Sequence, residues 1–403
     1  MLPSLDDALA RARAAASPLP SEPVAWDTAR GRVLATAITA AWDLPVAAVS
    51  VMDGYAIDAA AVRRDAAIAV VGESRAGQPF AGAWTPGTAV RIATGAVVPD
   101  AALCVVPQED VARERDAIVL SHDARQQAAA GRHVRPAGAD ARAGAMVLPA
   151  GTVLGPAEHA LAGAVGAVAL QVHRRPRVVV VSTGDELVAV GSTPAAGQVP
   201  STSGTMLRGL LEHAGAELVA QWEVGDDAEA LRRTLRDAQT AADVVLTTGG
   251  ASVGDHDLVR STLASLQARE LLWGIAMRPG KPTGVVTLAS TLLFALPGNP
   301  ASTLVAFAVL VRPCLRALAG VHEPALPQLE LALGGEVEGE RGREHFVRAR
   351  LHEGLALPLP DQRSGNLRSI AGAELLVRVP AGTTRLPAGA RCRCLLLPSG
   401  GSC

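Results

Sequence analysis

Five short segments of this chain concentrate residue types that bind oxyanions and phosphates: STGDE (Ser182 to Glu186), VGDD (Val224 to Asp227), TTGGASVGDHD (Thr247 to Asp257), MRPGKP (Met277 to Pro282) and LPGNP (Leu296 to Pro300). Glycine in such turns admits left-handed geometry and a close approach of backbone to ligand. Successive amides form anion-binding concavities, and a helix that starts behind them adds a favourable field. The candidate ligand-binding positions are therefore Ser182, Thr183, Gly184, Asp185, Gly249, Gly250, Ser252, Gly254, Arg278, Gly280, Pro297, Gly298, Asn299 and Pro300. A structural turn explains any one of these loops. Five of them closing successive strands at one edge point to a site.

Charged side chains in the same loops suggest roles in catalysis. Glu186, Asp226 and Asp257 stand at strand ends, where they could hold a hard cation such as Mg²⁺ bridging to phosphate oxygens. The competing explanation is that they cap helices or line solvated turns. Lys281 is the only lysine among 37 basic residues, set between Gly280 and Pro282. In a chain that writes arginine everywhere else, it suggests a compact point charge for a phosphate or oxyanion.

Open parallel sheets place their ligands beyond the carboxyl ends of the strands, and the elements around these loops fit such a sheet. RVVVVST from Arg177 is a continuous β-branched run, as expected of a strand buried on both faces. A helix from about Thr205 to His213 follows, with Gly215 as its cap, then the strand AELVAQWEV. Asp226 or Asp227 caps the next helix, ADVVLTT is a strand, Asp255 begins a helix, and TLLFAL precedes a helix from Ser302 to Ala319. Strands alternating with helices of this length predict a doubly wound α/β domain over residues 176–324.

Upstream, Ser4 caps a first helix that runs to about Ala16, and Asp27 to Pro45 reads as helical or extended. Short apolar runs broken by Gly and Pro predict a β-rich segment over 47–137. MVLPAGTVLGP reads as a hairpin, and Ala157 to Leu170 as a helix of small residues that packs back on the N-terminus. Residues 1–46 and 138–175 would then be two segments of one elongated domain, interrupted by the β-rich insertion. Residues 325–403, with runs such as HFVRARL and RCRCLLL, predict a C-terminal β-domain.

Composition excludes several classes. A length of 403 residues suggests two to four domains. A net charge of −2 provides no global field for nucleic acid or an anionic membrane. The mean hydropathy of +0.25 comes from scattered Ala and Val. The longest apolar runs, Ala160 to Leu170 and Leu304 to Val311, read as buried helix, and Asp6 and Asp7 stand where a signal peptide needs positive charge, so the expected location is the cytoplasm. Cys104, Cys314, Cys392, Cys394 and Cys403 lack zinc-type spacing and read as buried or incidental thiols. There is no GxxxxGK[ST], GxSxG or HExxH, and Ala251 breaks a GxGxxG around Gly249 and Gly254.

Taken together and in order, MDGYA (Met52 to Ala56), RIATGAVVP (Arg91 to Pro99), STGDEL, TTGGASVGD, RPGKP and LPGNP resemble the molybdopterin molybdenumtransferase family. The resemblance runs from GRVLA (Gly31 to Ala35) to SGNLRS (Ser364 to Ser369). It implies a homodimer in which the inserted domain of one subunit faces the α/β domain of the other. Asp53, Thr94 and Asp140 would then complete a site with Glu186, Asp226, Asp257 and Lys281. The reaction implied is attack of a pterin dithiolene on molybdate, coupled to AMP release from adenylated molybdopterin in the presence of Mg²⁺. A molybdopterin adenylyltransferase and acceptor apo-enzymes are the implied partners.

Several loops depart from the family pattern. Ala48, Val49 and Ser50 replace an Asp-Asn-Ser run, Ser201, Thr202 and Ser203 replace Asp-Ser/Thr-Asn, and Gly274 and Arg278 stand where lysines are common. These departures keep a pterin-binding dimeric scaffold with reduced catalysis as the rival reading, with a pterin adenylyltransferase as the third.

Overall fold

The computed structural model describes residues 2–250, 257–322 and 325–398. Its centre is a six-stranded sheet in the order Glu217–Val224, Arg177–Thr183, Val244–Thr248, Thr291–Leu296, Gly284–Leu288, Arg269–Trp273. The first four strands are parallel, and the last two add an antiparallel edge. The valine run of the second strand explains its central place. Val178 and Val180 enter one apolar cluster and Val179 and Val181 the cluster on the opposite face, all fully buried. A strand with polar residues on one face could not occupy that position.

Helices cover both faces. Ser203–Ala214 ends on Gly215 at φ 78°, the left-handed cap expected from the sequence. Ala228–Ala241 is capped by Asp227, whose carboxylate accepts from the Glu229 and Ala230 amides. Leu258–Ser265 is capped by Asp257; Asp255, expected to begin this helix, lies outside the described residues. The last helix begins at Pro300, two residues before the expected Ser302, and runs to Leu318 with one π-turn over Phe307–Val311. Pro313 follows after Arg312, and its ring and missing N–H disturb the normal ladder at this point, which the wider turn absorbs. By length and composition this is the one described helix that could cross a membrane, but 83% of it is buried inside the protein, as suits a core helix.

The segments before and after the inserted sheet pair with each other. Ser21–Ala25 runs antiparallel to Ala169–His173, and Ile38–Thr39 pairs with Met146–Leu148. Two expectations change here. The first helix, Leu5–Ala14, does not pack in this unit: Leu5, Ala8, Ala12 and Ala16 join Val178, Phe307 and Leu315 in the core of the α/β domain. Its alanine face is thin enough to lie close against that core. The helix expected over 157–170 stops at Ala164, where Gly166 at φ 86° turns the chain into the returning strand.

The insertion forms a six-stranded sheet in the order Cys104–Pro107, Gly54–Ile57, Ala89–Ile92, Ile68–Ser74, Ala117–Leu120, Val111–Glu114. At the C-terminus, Glu344–His352, Leu355–Pro358, Gln328–Leu333, Arg391–Leu396 and Leu375–Val379 close into a barrel, since the last pairs with the first. Cys392 and Cys394 lie inside it with sulfurs 3.7 Å apart. Burial pushes the Cys394 and Cys314 thiols up to about 12, which leaves them protonated and unreactive.

Candidate functional site

At the carboxyl edge of the central sheet three loops meet backbone to backbone. Gly249 has φ 89°, and a Cβ there would collide with the Thr183 carbonyl oxygen. A Cβ on Gly298 would lie 3.3 Å from the Gly249 Cα. The STG, TGG and PGN turns therefore interlock only because two glycines occupy the contact.

The loops are also tied by polar contacts. The Asp226 amide donates to Asp185 Oδ1 at 2.9 Å, which joins STGDE to VGDD. Thr303 Oγ1 donates to the carbonyls of Pro297 (2.6 Å) and Asn299 (3.1 Å) and fixes LPGNP. Asn299 holds the N-cap position of the last helix without a side-chain cap bond, so among the described residues its amide group is left for a ligand. Beneath the loops, the hydroxyls of Ser182, Thr183, Thr247 and Ser201 are buried and have no hydrogen-bond partner among the described residues. Native structures seldom leave such groups unsatisfied, and clusters of them mark places where a polar ligand belongs. Thr247 and Ser201 are not among the positions expected from the sequence, although Thr247 opens the TTGG motif and Ser201 falls in a departing run.

The cationic loop reaches the same edge. Thr283 Oγ1 donates to the Gly280 carbonyl at 2.7 Å, and the Ile275 amide to that of Lys281 at 2.9 Å, so Lys281 rides on a braced turn. Among the described residues the Lys281 ammonium has no ion-pair or hydrogen-bond partner. Arg278 differs, for its guanidinium lies 3.8 Å from Glu340 of the C-terminal barrel. Met277 and Arg278 also pair in parallel with Glu344 and His345, which adds a two-residue strand to the barrel.

The barrel touches the site a second time. The Ala301 amide donates to the Ser364 carbonyl at 3.0 Å, beside Asn299. The loop bearing Ser364 is held by Arg348, a fully buried arginine with no carboxylate partner among the described residues. Its Nε donates to Ser369 Oγ (3.0 Å) and its Nη2 to the carbonyls of Asp361 (3.2 Å) and Arg363 (3.1 Å).

The expected acidic set is rearranged. Among the described residues no three His, Cys, Asp or Glu side chains converge as a ligand set, so Glu186, Asp226 and Asp257 do not form a metal cage. Asp257 instead accepts from the Arg260 amide at 2.9 Å as a helix cap, and Asp226 presents its backbone to Asp185. The residues present do not fit a preformed three-carboxylate Mg²⁺ site. Replacing Asp257 by Ala should cost about 1 kcal/mol through loss of the cap, whereas Glu186→Ala should leave urea unfolding unchanged; equal midpoints for both variants would contradict the capping role.

Asp53 and Thr94 form a separate pair in the inserted sheet. The Thr94 amide and hydroxyl donate to Asp53 Oδ1 at 2.7 and 2.9 Å, and these bonds hold the carboxyl below its usual range. Asp140 is ion-paired with Arg135. Among the described residues no hydrogen bond or ion pair joins the inserted sheet to the α/β domain. Ser252 and Gly254 lie outside the described residues.

His345 sits at the seam between barrel and cationic loop, 6% exposed, its Nδ1 2.8 Å from the Glu338 carbonyl. Burial lowers its pKa, so the folded state holds it neutral. A depressed histidine adds stability above its unfolded pKa and loses it as pH falls. The melting temperature should therefore decline below about pH 6.5, and His345→Gln should flatten that decline in a thermal scan from pH 7.5 to 5.

These features define a multidomain α/β protein with an oxyanion- and phosphate-binding loop cluster at its sheet edge, flanked by two β-rich units. Family profiles narrow this: residues 3–166 match the MoeA N-terminal region (domain I and II), 179–317 the probable molybdopterin binding domain, and 330–397 the MoeA C-terminal region (domain IV). The chain is 36% identical over 373 residues to molybdopterin molybdenumtransferase 2 of Mycobacterium tuberculosis, covering 90% of this chain and 91% of that protein. It is 35% identical over 384 residues to the molybdopterin molybdenumtransferase of a Nostoc species, covering 92% and 87%. The crystal structure of the molybdopterin biosynthesis moeA protein from Pyrococcus horikoshii OT3 superposes with a TM-score of 0.86 at 27% identity, over 98% of this chain and 100% of that one. The chain belongs to the molybdopterin molybdenumtransferase family, transferases of molybdenum-cofactor biosynthesis.

Proposed function

We propose that this protein inserts molybdate into the dithiolene of adenylated molybdopterin and releases AMP, acting as a homodimer in the cytoplasm. The observation that supports this most is the interlocked Thr183, Gly249 and Gly298 backbone, with buried hydroxyls beneath and Lys281 alongside that have no partner among the described residues. Two thiolate sulfurs replace two oxide ligands of molybdenum, and each oxide leaves as water after protonation. Water cleaves the adenylate diphosphate, so AMP departs and the pterin keeps its phosphate. The loops bind and orient the two anions, and Lys281 offsets the charge that gathers where they meet. Mg²⁺ belongs with the substrate's diphosphate in this reading, and none of the residue roles depends on it. The substrate itself must come from an adenylylating reaction.

The test is to incubate purified protein with adenylated molybdopterin and molybdate, with and without Mg²⁺, and to follow AMP and the metallated cofactor together. Both products appear if the reading holds. AMP without metal insertion would favour the scaffold with reduced catalysis, and turnover that required ATP would favour the adenylyltransferase.

Asp53 and Thr94 are assigned to the partner's site, because among the described residues the Asp53 carboxylate bonds only Thr94 and no hydrogen bond ties either to the α/β domain. Multi-angle light scattering at micromolar concentration should give twice the 41.2 kDa chain mass. Mixing inactive Asp53→Ala and Lys281→Ala chains should restore part of the activity through hybrid dimers; monomers, or no complementation, would refute the shared site.

A further inference from the structure

Arg278 and Lys281 sit three residues apart on one loop, but the structure treats their charges differently. Lys281 has no acidic neighbour within ion-pair distance among the described residues, whereas Arg278 lies 3.8 Å from Glu340. That distance is an ion pair without a hydrogen bond, and the Arg278 side chain remains 53% exposed. On the other side of the pair, Glu340 Oε1 accepts from Arg343 Nε at 2.9 Å and from its Nη2, while Oε2, facing Arg278, is buried with no hydrogen-bond partner among the described residues. Little solvent reaches that oxygen to screen its attraction for the guanidinium.

We infer that Glu340 is a positioning residue that sets the anion affinity of the site from the neighbouring barrel, by acting as the internal counter-ion of Arg278. This rests on the loop cluster being the binding site for the anionic substrates. The backbone pairing of Arg278 with His345 fixes where the loop sits, so the carboxylate is left to govern charge alone. An arriving phosphate or oxyanion then meets Lys281, a cation without an ion-pair partner among the described residues, and Arg278, which is already partly neutralised. Such a site holds an anion firmly enough to orient it and still releases it after reaction. The loose contact lets Arg278 exchange Glu340 for the ligand without breaking a hydrogen bond.

The probes are AMP and inorganic molybdate, with binding measured by calorimetry on the full-length protein. Glu340→Gln should tighten both by about three- to tenfold at low salt, with the gain shrinking as ionic strength rises. Glu340→Asp, which keeps the charge, should bind like wild type. In an Arg278→Ala background the Glu340→Gln gain should vanish, since the cation through which Glu340 acts on the loop is gone; Arg343, which Glu340→Gln also releases, lies on the barrel side. Unchanged or weaker binding by Glu340→Gln, or a gain that persists without Arg278, would overturn the inference. If wild-type protein binds neither probe, the underlying reading of the site fails instead, and the two failures are separated by that single control.

Discussion

Lys281→Ala should lower molybdate insertion by about 100- to 1,000-fold, the range seen when a preorganised charge partner of a reacting oxyanion is removed. The turn that carries Lys281 is braced by the Thr283 hydroxyl and the Ile275 amide, neither of which involves the lysine side chain, so the fold should survive. Lys281→Arg tests the finer point. It keeps the charge but spreads it over a planar fork larger than the ammonium, and the turn between Gly280 and Pro282 offers little room to adjust. Activity about tenfold below wild type is expected, with circular dichroism and melting temperature unchanged for both variants. Full activity in Lys281→Arg would show that any cation serves there.

Gly249→Ala should be severely damaging for a single added methyl group. The residue adopts φ 89°, and the added Cβ would run into the Thr183 carbonyl oxygen, which is backbone and cannot swing aside. Left-handed strain and the collision together should cost about 2 kcal/mol or more. Activity should fall further than stability, because the TGG turn must move away from STG and PGN, and misplacement by about 1 Å costs on the order of 100-fold. Gly250→Ala, at φ 61° against the Thr183 hydroxyl and Val259, is the milder comparison. If Gly249→Ala turns over normally, the interlocked turns are not the binding floor.

The parts of this protein that were legible beforehand are those whose cause is local. The valine run at Val178 to Val181, the Gly215 cap and the Asp227 cap each follow from a few neighbouring residues, and each stands where expected. The loop motifs were legible for the same reason. What escaped depends on distant partners. Nothing near Leu5 shows that its helix enters the α/β core, and nothing near Met277 shows that it lends a strand to a barrel that begins some fifty residues later. Asp257 looked alike as metal ligand and as helix cap, since both uses ask for a carboxylate at a strand end, and only the bond to the Arg260 amide separates them. The departing runs mattered in an unexpected way: Ser201 lost a carboxylate but contributes a buried hydroxyl with no partner among the described residues.

The barrel meets the loop cluster at two points, the short Met277–Arg278 pairing and the Arg348-held segment that receives the Ala301 amide. Whatever free energy a ligand gains by ordering those loops is therefore shared with the barrel, and linkage makes the sharing reciprocal. A ligand at LPGNP should slow hydrogen exchange of amides in the Glu344–His352 strand, and loosening that strand should speed ligand departure. The barrel thus acts as a spring against which the site is set, and its stiffness becomes a property of the enzyme's timing.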